Sequence, residues 1–215
     1  MLNQLRLLFK NYIIDNNSLN SNECELSSIV SIRRGASPRP IQNFLSEKGV
    51  NWLKISDVTG VDSPFIYEIK EKIIEQGKFK SLFIKSGTLV VSNSATPGIP
   101  KFIMTDTCVH DGWLVLSEYE GKYKYFLYFM LEHIRKNLIS LSNGSVFNNL
   151  KTDILKQYRV AIPNDNELNT FNSVAKYSME LINKTTAENI QLSKLRDTLL
   201  PKLMNGEIDL DKVQI

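Results

Sequence analysis

The sequence predicts an α+β (mixed α/β) globular domain followed by a long coiled-coil-like C-terminal helix, with a short helix at the N-terminus. Three observations predict it. Between residues 25 and 163, short apolar runs bounded by Gly, Pro, Asn and Ser interleave irregularly with helical periodicities, without a βαβ rhythm. From residue 165 onward proline is absent until Pro201 and glycine until Gly206. There Phe171, Val174, Ser178, Leu181, Thr185, Glu188, Leu192, Leu195 and Leu199 recur at spacings of three and four. The 215 residues, 42% hydrophobic and 23% charged, suit one medium domain with an appendage rather than a disordered chain.

Taken in order, residues 1–22 are a helical segment and linker. Leu2, Leu5, Leu8, Phe9, Tyr12 and Ile13 stand at helical spacing, and "DNNSLNSNE" follows as a polar connector. The N-terminal stretch carries Arg6 and Lys10 and lacks a small-residue cleavage site, so it is a poor signal peptide and too short to span a membrane. With two cysteines and no disulfide framework, a cytoplasmic location is expected. Residues 23–164 form the main domain. "SSIVSIRRG", "VNWLKISDVTG", "GTLVVSNSATPGIP", "KFIMT" and "DGWLVLSE" are predicted strands, and "KYKYFLYFMLEHIRKNLISLS" is a predicted helix. Thr152 is the expected N-cap of a short helix, and "YRVAIP" a last strand stopped by Pro163. Residues 165–215 are the long helix and tail. Some 35 helical residues make a rod of roughly 50 Å, longer than the roughly 30 Å of such a domain. Part of the apolar seam must therefore pack on another helix, from the N-terminus of this chain or from another subunit; Phe171, Val174, Leu181, Ile182, Leu192, Leu195 and Leu199 are the expected contacts.

Charge is unevenly distributed. Lys and Arg number 26 against 23 Asp and Glu, but residues 26–46, 78–101 and 133–152 contain no acid and each holds a Gly/Ser/Asn/Pro loop. Three such segments suggest one basic face assembled from loops, as phosphate contact requires. The small donors and acceptors at the loop tips suit base edges. The bland alternative is that loops are polar and acid-free by chance.

Catalytic motifs are lacking. "EQGKFKS" lacks the first glycine and the strand of a P-loop, and there is no G-x-S-x-G elbow, H-E-x-x-H or glycine-rich dinucleotide turn. "CVHD" places Cys108 and His110 on one strand face, but zinc needs further ligands and no second cluster exists. In "DSPFIYEIK", Asp62, Glu68 and Lys70 resemble nuclease metal ligands; the spacing is short, and the stretch continues into a charge alternation typical of a solvated face.

Several stretches, in order, resemble the specificity subunit of a type I restriction-modification enzyme. "LSSIVSIRRGASPRPIQNF" with its G-x-[ST]-P turn (Gly35, Ser37, Pro38), followed by "GVNWLKISDVTG", is similar to the opening of a target recognition domain. "SGTLVVSNSATPGIPKF" is similar to an internal strand and loop, "GSVFNNLKTDILKQYRVAIPNDNELNTF" to the entry of a spacer helix, and "KLRDTLLPKLMNGEIDL" to its end. The resemblance covers roughly residues 24–210. The family's usual subunit has two recognition domains and two spacers; this chain has one of each and resembles a second half. "PNDNELN" departs from the usual P-x-x-x-E-Q. The resemblance implies double-stranded DNA recognition without catalysis and without a cofactor or metal of its own. It also implies docking to methyltransferase (M) subunits and through them restriction (R) subunits, with a homodimer or another half-subunit restoring the symmetry. A stand-alone DNA-binding regulator and an inactive truncated remnant are the alternatives. From loop position and residue type, the expected base readers are Ser37, Arg39, Ser92, Asn93, Ser94, Thr96, Asn143, Ser145 and Asn148. The expected phosphate contacts are Arg33, Arg34, Arg39, Lys85, Lys101, Arg135 and Lys151.

Overall fold

A computed structural model describes residues 1–15, 22–142 and 149–208. Among the described residues the strands are β1 (Asn22–Glu25), β2 (Ser31–Arg34), β3 (Leu45–Ser46), β4 (Val50–Leu53), β5 (Phe65–Ile66), β6 (Lys72–Ile73), β7 (Leu82–Ile84), β8 (Thr88–Ser92), β9 (Pro100–Ile103), β10 (Thr107–Val109), β11 (Trp113–Ser117) and β12 (Arg159–Ile162). The α-helices are α1 (Leu2–Phe9), α2 (Glu75–Lys78), α3 (Lys124–Ser142), α4 (Thr152–Lys156) and α5 (Asp165–Met204). The architecture is the expected α+β domain with a short N-terminal helix and a long C-terminal one.

Two five-stranded sheets carry the domain, in the orders β3-β6-β4-β10-β7 and β2-β11-β8-β9-β5; β1 and β12 form a separate antiparallel pair. Both large sheets are mixed, with β10 parallel to β4 and β5 parallel to β9. The second sheet is buried on both faces, which is why β8, β9 and β11 read as continuous apolar runs rather than alternations. Val90, Ile103, Trp113 and Val115 point from it toward Leu53, Ile84 and Val109 of the first sheet. Leu89, Val91, Phe102, Leu114 and Leu116 point the other way, onto the helices.

The helical layer is an aromatic cluster. Phe9 of α1 lies 5.4 Å from Phe171 of α5, edge to face, and 5.9 Å from both Phe126 and Phe129 of α3. Arg6 clasps Glu132 of α3 through two hydrogen bonds of 2.9 and 2.7 Å. The last turn of α1 widens into a π-helical segment, Lys10–Ile14, which buries Ile13 in the same core.

Some sequence expectations need correction. The charge alternation that follows "DSPFIYEIK" is not wholly solvated: Lys72 and Ile73 form β6 with Ile73 buried, and Gly77 of α2 is buried too, while Phe65 and Ile66 before it are β5, buried at the edge of the second sheet. Thr152 is the first residue of α4 rather than its cap; Lys151 stands at that position and makes no side-chain cap. The start of α5 is a capping box, with Asn164 accepting from the Glu167 N–H and Glu167 accepting from the Asn164 N–H.

Candidate nucleic-acid interface

After β10 the chain crosses from one sheet to the other through the turn His110–Asp111–Gly112. The loop that follows β2 lies against this turn: Gly35 N–H donates to the Trp113 carbonyl at 2.9 Å, and Ala36 N–H to that of Val109 at 3.1 Å. The approach is so close that a Cβ on Gly35 would sit 2.2 Å from the His110 carbonyl oxygen, so glycine is required. Gly112 is equally confined, between the His110 ring and the Ser94 hydroxyl.

Asp111 ties the loop down. Its carboxylate accepts from the Ser37 hydroxyl at 2.7 Å and from Arg39 Nη2 at 3.2 Å, while its main-chain carbonyl accepts from Arg34 Nε at 2.8 Å. Partial burial raises the carboxyl's pKa, but the Ser37 hydroxyl, His110, Arg39 and Arg34 together outweigh that and hold it below the usual range. Asp111 is therefore a charged anchor that leaves the Arg39 side chain 75% exposed, most of its donors free.

The other two acid-free segments reach the same turn. Asn93 donates its main-chain N–H to Gly112 at 2.9 Å and its side-chain amide to the Asp111 carbonyl at 3.1 Å. Leu150 N–H in turn donates to the Asn93 carbonyl at 2.7 Å. Ser81, from the second segment, donates to the Ala36 carbonyl at 2.7 Å. All three acid-free segments thus meet around one turn. Arg34, Arg39, Thr96, Asn149 and Lys151 are exposed at or beside it, and Ser94 partly so.

The candidate residues divide. Ser37, Arg39, Ser94 and Thr96 lie in this cluster; Ala95 between the last two adopts a left-handed conformation (φ 59°), making a sharp tip. Asn143, Ser145 and Asn148 lie outside the described residues. Ser92 and Asn93 are buried and hold the loop from inside: Ser92 Oγ donates to the Thr96 carbonyl at 2.5 Å and accepts from Ile99 N–H at 2.9 Å. Asn93 Oδ1 is unpartnered but buried, so neither side chain is exposed to a base edge and the expectation that they read bases is corrected.

Among the expected phosphate contacts, Lys101 is overturned most clearly. It is 5% exposed, its ammonium donating to the Val61 and Ser63 carbonyls at 2.6 and 2.5 Å, and burial pushes its pKa down to about 8. Arg135 is half-buried beneath the loop, donating to the Pro97 carbonyl at 3.3 Å; a Cβ on Gly98 would come within 2.9 Å of its stem. Lys85 lies at the opposite end of β10, paired with Asp106 at 2.7 Å. Arg33 leaves β2 on the face opposite Arg34 and lines a separate groove with Ser31, Glu118 and Lys156. Arg34 and Lys151 remain at the cluster.

The anchoring role of Asp111 is what sequence reasoning missed. His110, considered with Cys108 for metal, accepts from Gly112 N–H through Nδ1 at 2.7 Å, its ring edge-on to Trp52. Among the described residues no group of three His, Cys, Asp or Glu side chains is placed to hold a metal ion. Glu68 of the nuclease reading pairs with Lys194 of α5 at 2.8 Å.

α5 has two apolar faces. Leu168, Phe171, Ala175 and Met179 are buried against the domain, and the same side continues through Ile182 to Thr186, which bonds Ser63 at 2.9 Å. Val174, Leu181, Leu192, Leu195 and Leu199 of the seam are exposed instead. At 100° per residue the two stripes lie about 120° apart around the helix. The expected contact set is thereby split: Phe171 belongs to the intramolecular core and Ile182 packs at its edge.

Comparisons with known proteins agree with this geometry. The family model for the type I restriction modification DNA specificity domain matches residues 19–193. The type I restriction enzyme MjaIX specificity subunit of Methanocaldococcus jannaschii is 24% identical over 195 residues, covering 87% of this chain and 44% of that protein. The HsdS subunit from Thermoanaerobacter tengcongensis superposes with TM-score 0.60 at 14% identity, over 96% of this chain and 52% of that one. The S subunit from M. genitalium gives 0.56 at 15%, over 94% and 51%. The chain spans about half the length of the relatives it matches. Among the described residues no helix is long and apolar enough to cross a membrane. With the family model covering most of its length, the chain belongs to the type I restriction modification DNA specificity domain family.

Proposed function

We propose that this chain reads one half of a bipartite DNA target for a type I restriction-modification enzyme in the cytoplasm, performing no catalysis itself. The observation that carries the reading is the meeting of three acid-free segments at the His110–Asp111–Gly112 turn. Arg39, Ser37, Ser94 and Thr96 enter the major groove as base readers, with Asn143, Ser145 and Asn148 of the neighbouring segment as further candidates. Arg34 and Lys151 contact phosphate and set the register. Arg39 is the strongest guanine reader of the set, because Asp111 fixes one edge of its guanidinium and leaves the other free for a bidentate contact.

Residues 23–164 act as the recognition domain and residues 165–215 as spacer and docking rod. α5 has 40 residues, a length of about 60 Å, enough to hold a second recognition domain at fixed distance. The exposed seam of Val174, Leu181, Leu192, Leu195 and Leu199 pairs two copies, or this chain with another half-subunit. M subunits dock on the paired helices and R subunits join through them. Co-expression with a methyltransferase subunit tests this: the two should co-purify, and the complex should bind DNA. A chain that binds DNA but no methyltransferase would instead be a stand-alone regulator.

A further inference from the structure

Phe79 is 88% exposed, the most exposed large apolar side chain among the described residues. It is no frayed residue. It follows α2 in a tight turn closed by Lys80 N–H to the Gly77 carbonyl at 3.0 Å and Ser81 N–H to that of Lys78 at 3.2 Å. The turn is locked from both sides. Gly77 is buried so closely against Phe44 and Ile73 that a Cβ there would lie 3.2 Å from each, and the Ser81 hydroxyl holds the Ala36 carbonyl. Ala36 and Phe44 bracket the loop that carries Ser37 and Arg39, so Phe79 projects from the wall of that loop.

Its neighbours are cations. Lys78 Nζ lies 4.2 Å from the centre of the Phe83 ring, and Lys80 Nζ 4.9 Å from that of Phe44. Both lysine stems therefore lie back along aromatic surface and leave Phe79 standing between two positive charges. From Lys78 to Lys101 the sequence contains no acid. An exposed aromatic flanked by cations on a rigid turn complements a surface with an apolar interior and anionic rims, which is a nucleic-acid groove.

We propose that Phe79 is a DNA contact, its ring packing on the bases beside those read by Arg39 while Lys78 and Lys80 hold the flanking phosphates. The proposal rests on the DNA-recognition reading above and adds an apolar anchor to it. Because the side chain touches little in the free protein, Phe79→Ala should leave the melting temperature unchanged.

The test uses the full chain and a duplex that the wild-type protein selects from a randomised library, with unselected library as control. Phe79→Ala should weaken binding to the selected duplex by about tenfold and to the control by less than about twofold. Phe79→Trp should restore most of the loss. Lys78→Ala should weaken both and lower the salt dependence by about one phosphate contact. Equal affinities of wild type and Phe79→Ala for the selected duplex would overturn the proposal, as would equal losses on both duplexes. Loss of methyltransferase co-purification with unchanged DNA binding would do so too, marking Phe79 as a protein contact. A wild-type chain that selects no sequence would sink the recognition reading itself, a different failure from a neutral Phe79.

Discussion

At the scale of single residues, identical charges do different work according to their partners. Arg39 and Lys101 both come from acid-free segments, yet Arg39 is aimed outward by Asp111 and Lys101 is turned onto two carbonyls. Asp111→Ala frees Ser37 and Arg39 together, while the main-chain bond that holds Arg34 remains. It should cost about 1–3 kcal/mol of discrimination between target and non-target duplexes, with little change in non-specific affinity. Binding titrations against both duplexes check this; equal loss on both would make Asp111 a purely structural residue. Lys101 gives a pH signature. Its folded pKa is lowered to about 8 from 10.5. Below about pH 8 both states hold the proton and burial of the charge is a constant penalty. Between there and pH 10.5 only the unfolded state holds it, so stability rises with pH. Relative to Lys101→Met, the wild type should gain up to about 3 kcal/mol across that window, followed by denaturant unfolding at each pH. A difference that stays flat would mean the buried amine keeps its proton.

At the scale of elements, α5 combines a packing face and a free face. Met179 is fully buried whereas Leu195 is 54% exposed. Met179→Ala should therefore lower stability by about 2–5 kcal/mol, while Leu195→Ala should leave unfolding almost unchanged and weaken self-association. Thermal melts read the first effect and sedimentation the second; unchanged association in Leu195→Glu would remove the seam from the interface. The sequence pattern located this helix almost to its ends, because the absence of proline until Pro201 and of glycine until Gly206 is a local signal. It did not divide the faces. A 3.5-residue seam and a 3.6-residue buried stripe share Phe171, and only packing separates them. The short strands β1, β3, β5, β6 and β7 were not anticipated, since two to four residues carry too little periodicity.

At the scale of the whole molecule, charge distribution was the most informative part of the sequence. Acid-free segments distant along the chain meet at one turn because β2, β8 and β11 are neighbours in one sheet and α4 follows closely. What the distribution could not reveal is side-chain direction. Arg33 and Arg34 leave opposite faces of β2, and Lys85 lies at the far end of β10 from the turn. Asp111 drew notice in the sequence only beside Cys108 and His110 in "CVHD", as a possible metal cluster; only the approach of the 34–39 loop makes it an anchor. The account makes this chain one reading head with one spacer, and pairing through α5 follows from that.

Mapping DNA methylation in cells that express this chain with its methyltransferase subunit tests that claim most directly. The account predicts methylation at a split motif, two short specific blocks separated by a fixed unspecified gap, and a symmetric motif if two copies pair. Asp111→Ala should degrade the specific blocks while keeping the gap. Methylation at one continuous motif, or none dependent on this chain, would contradict it.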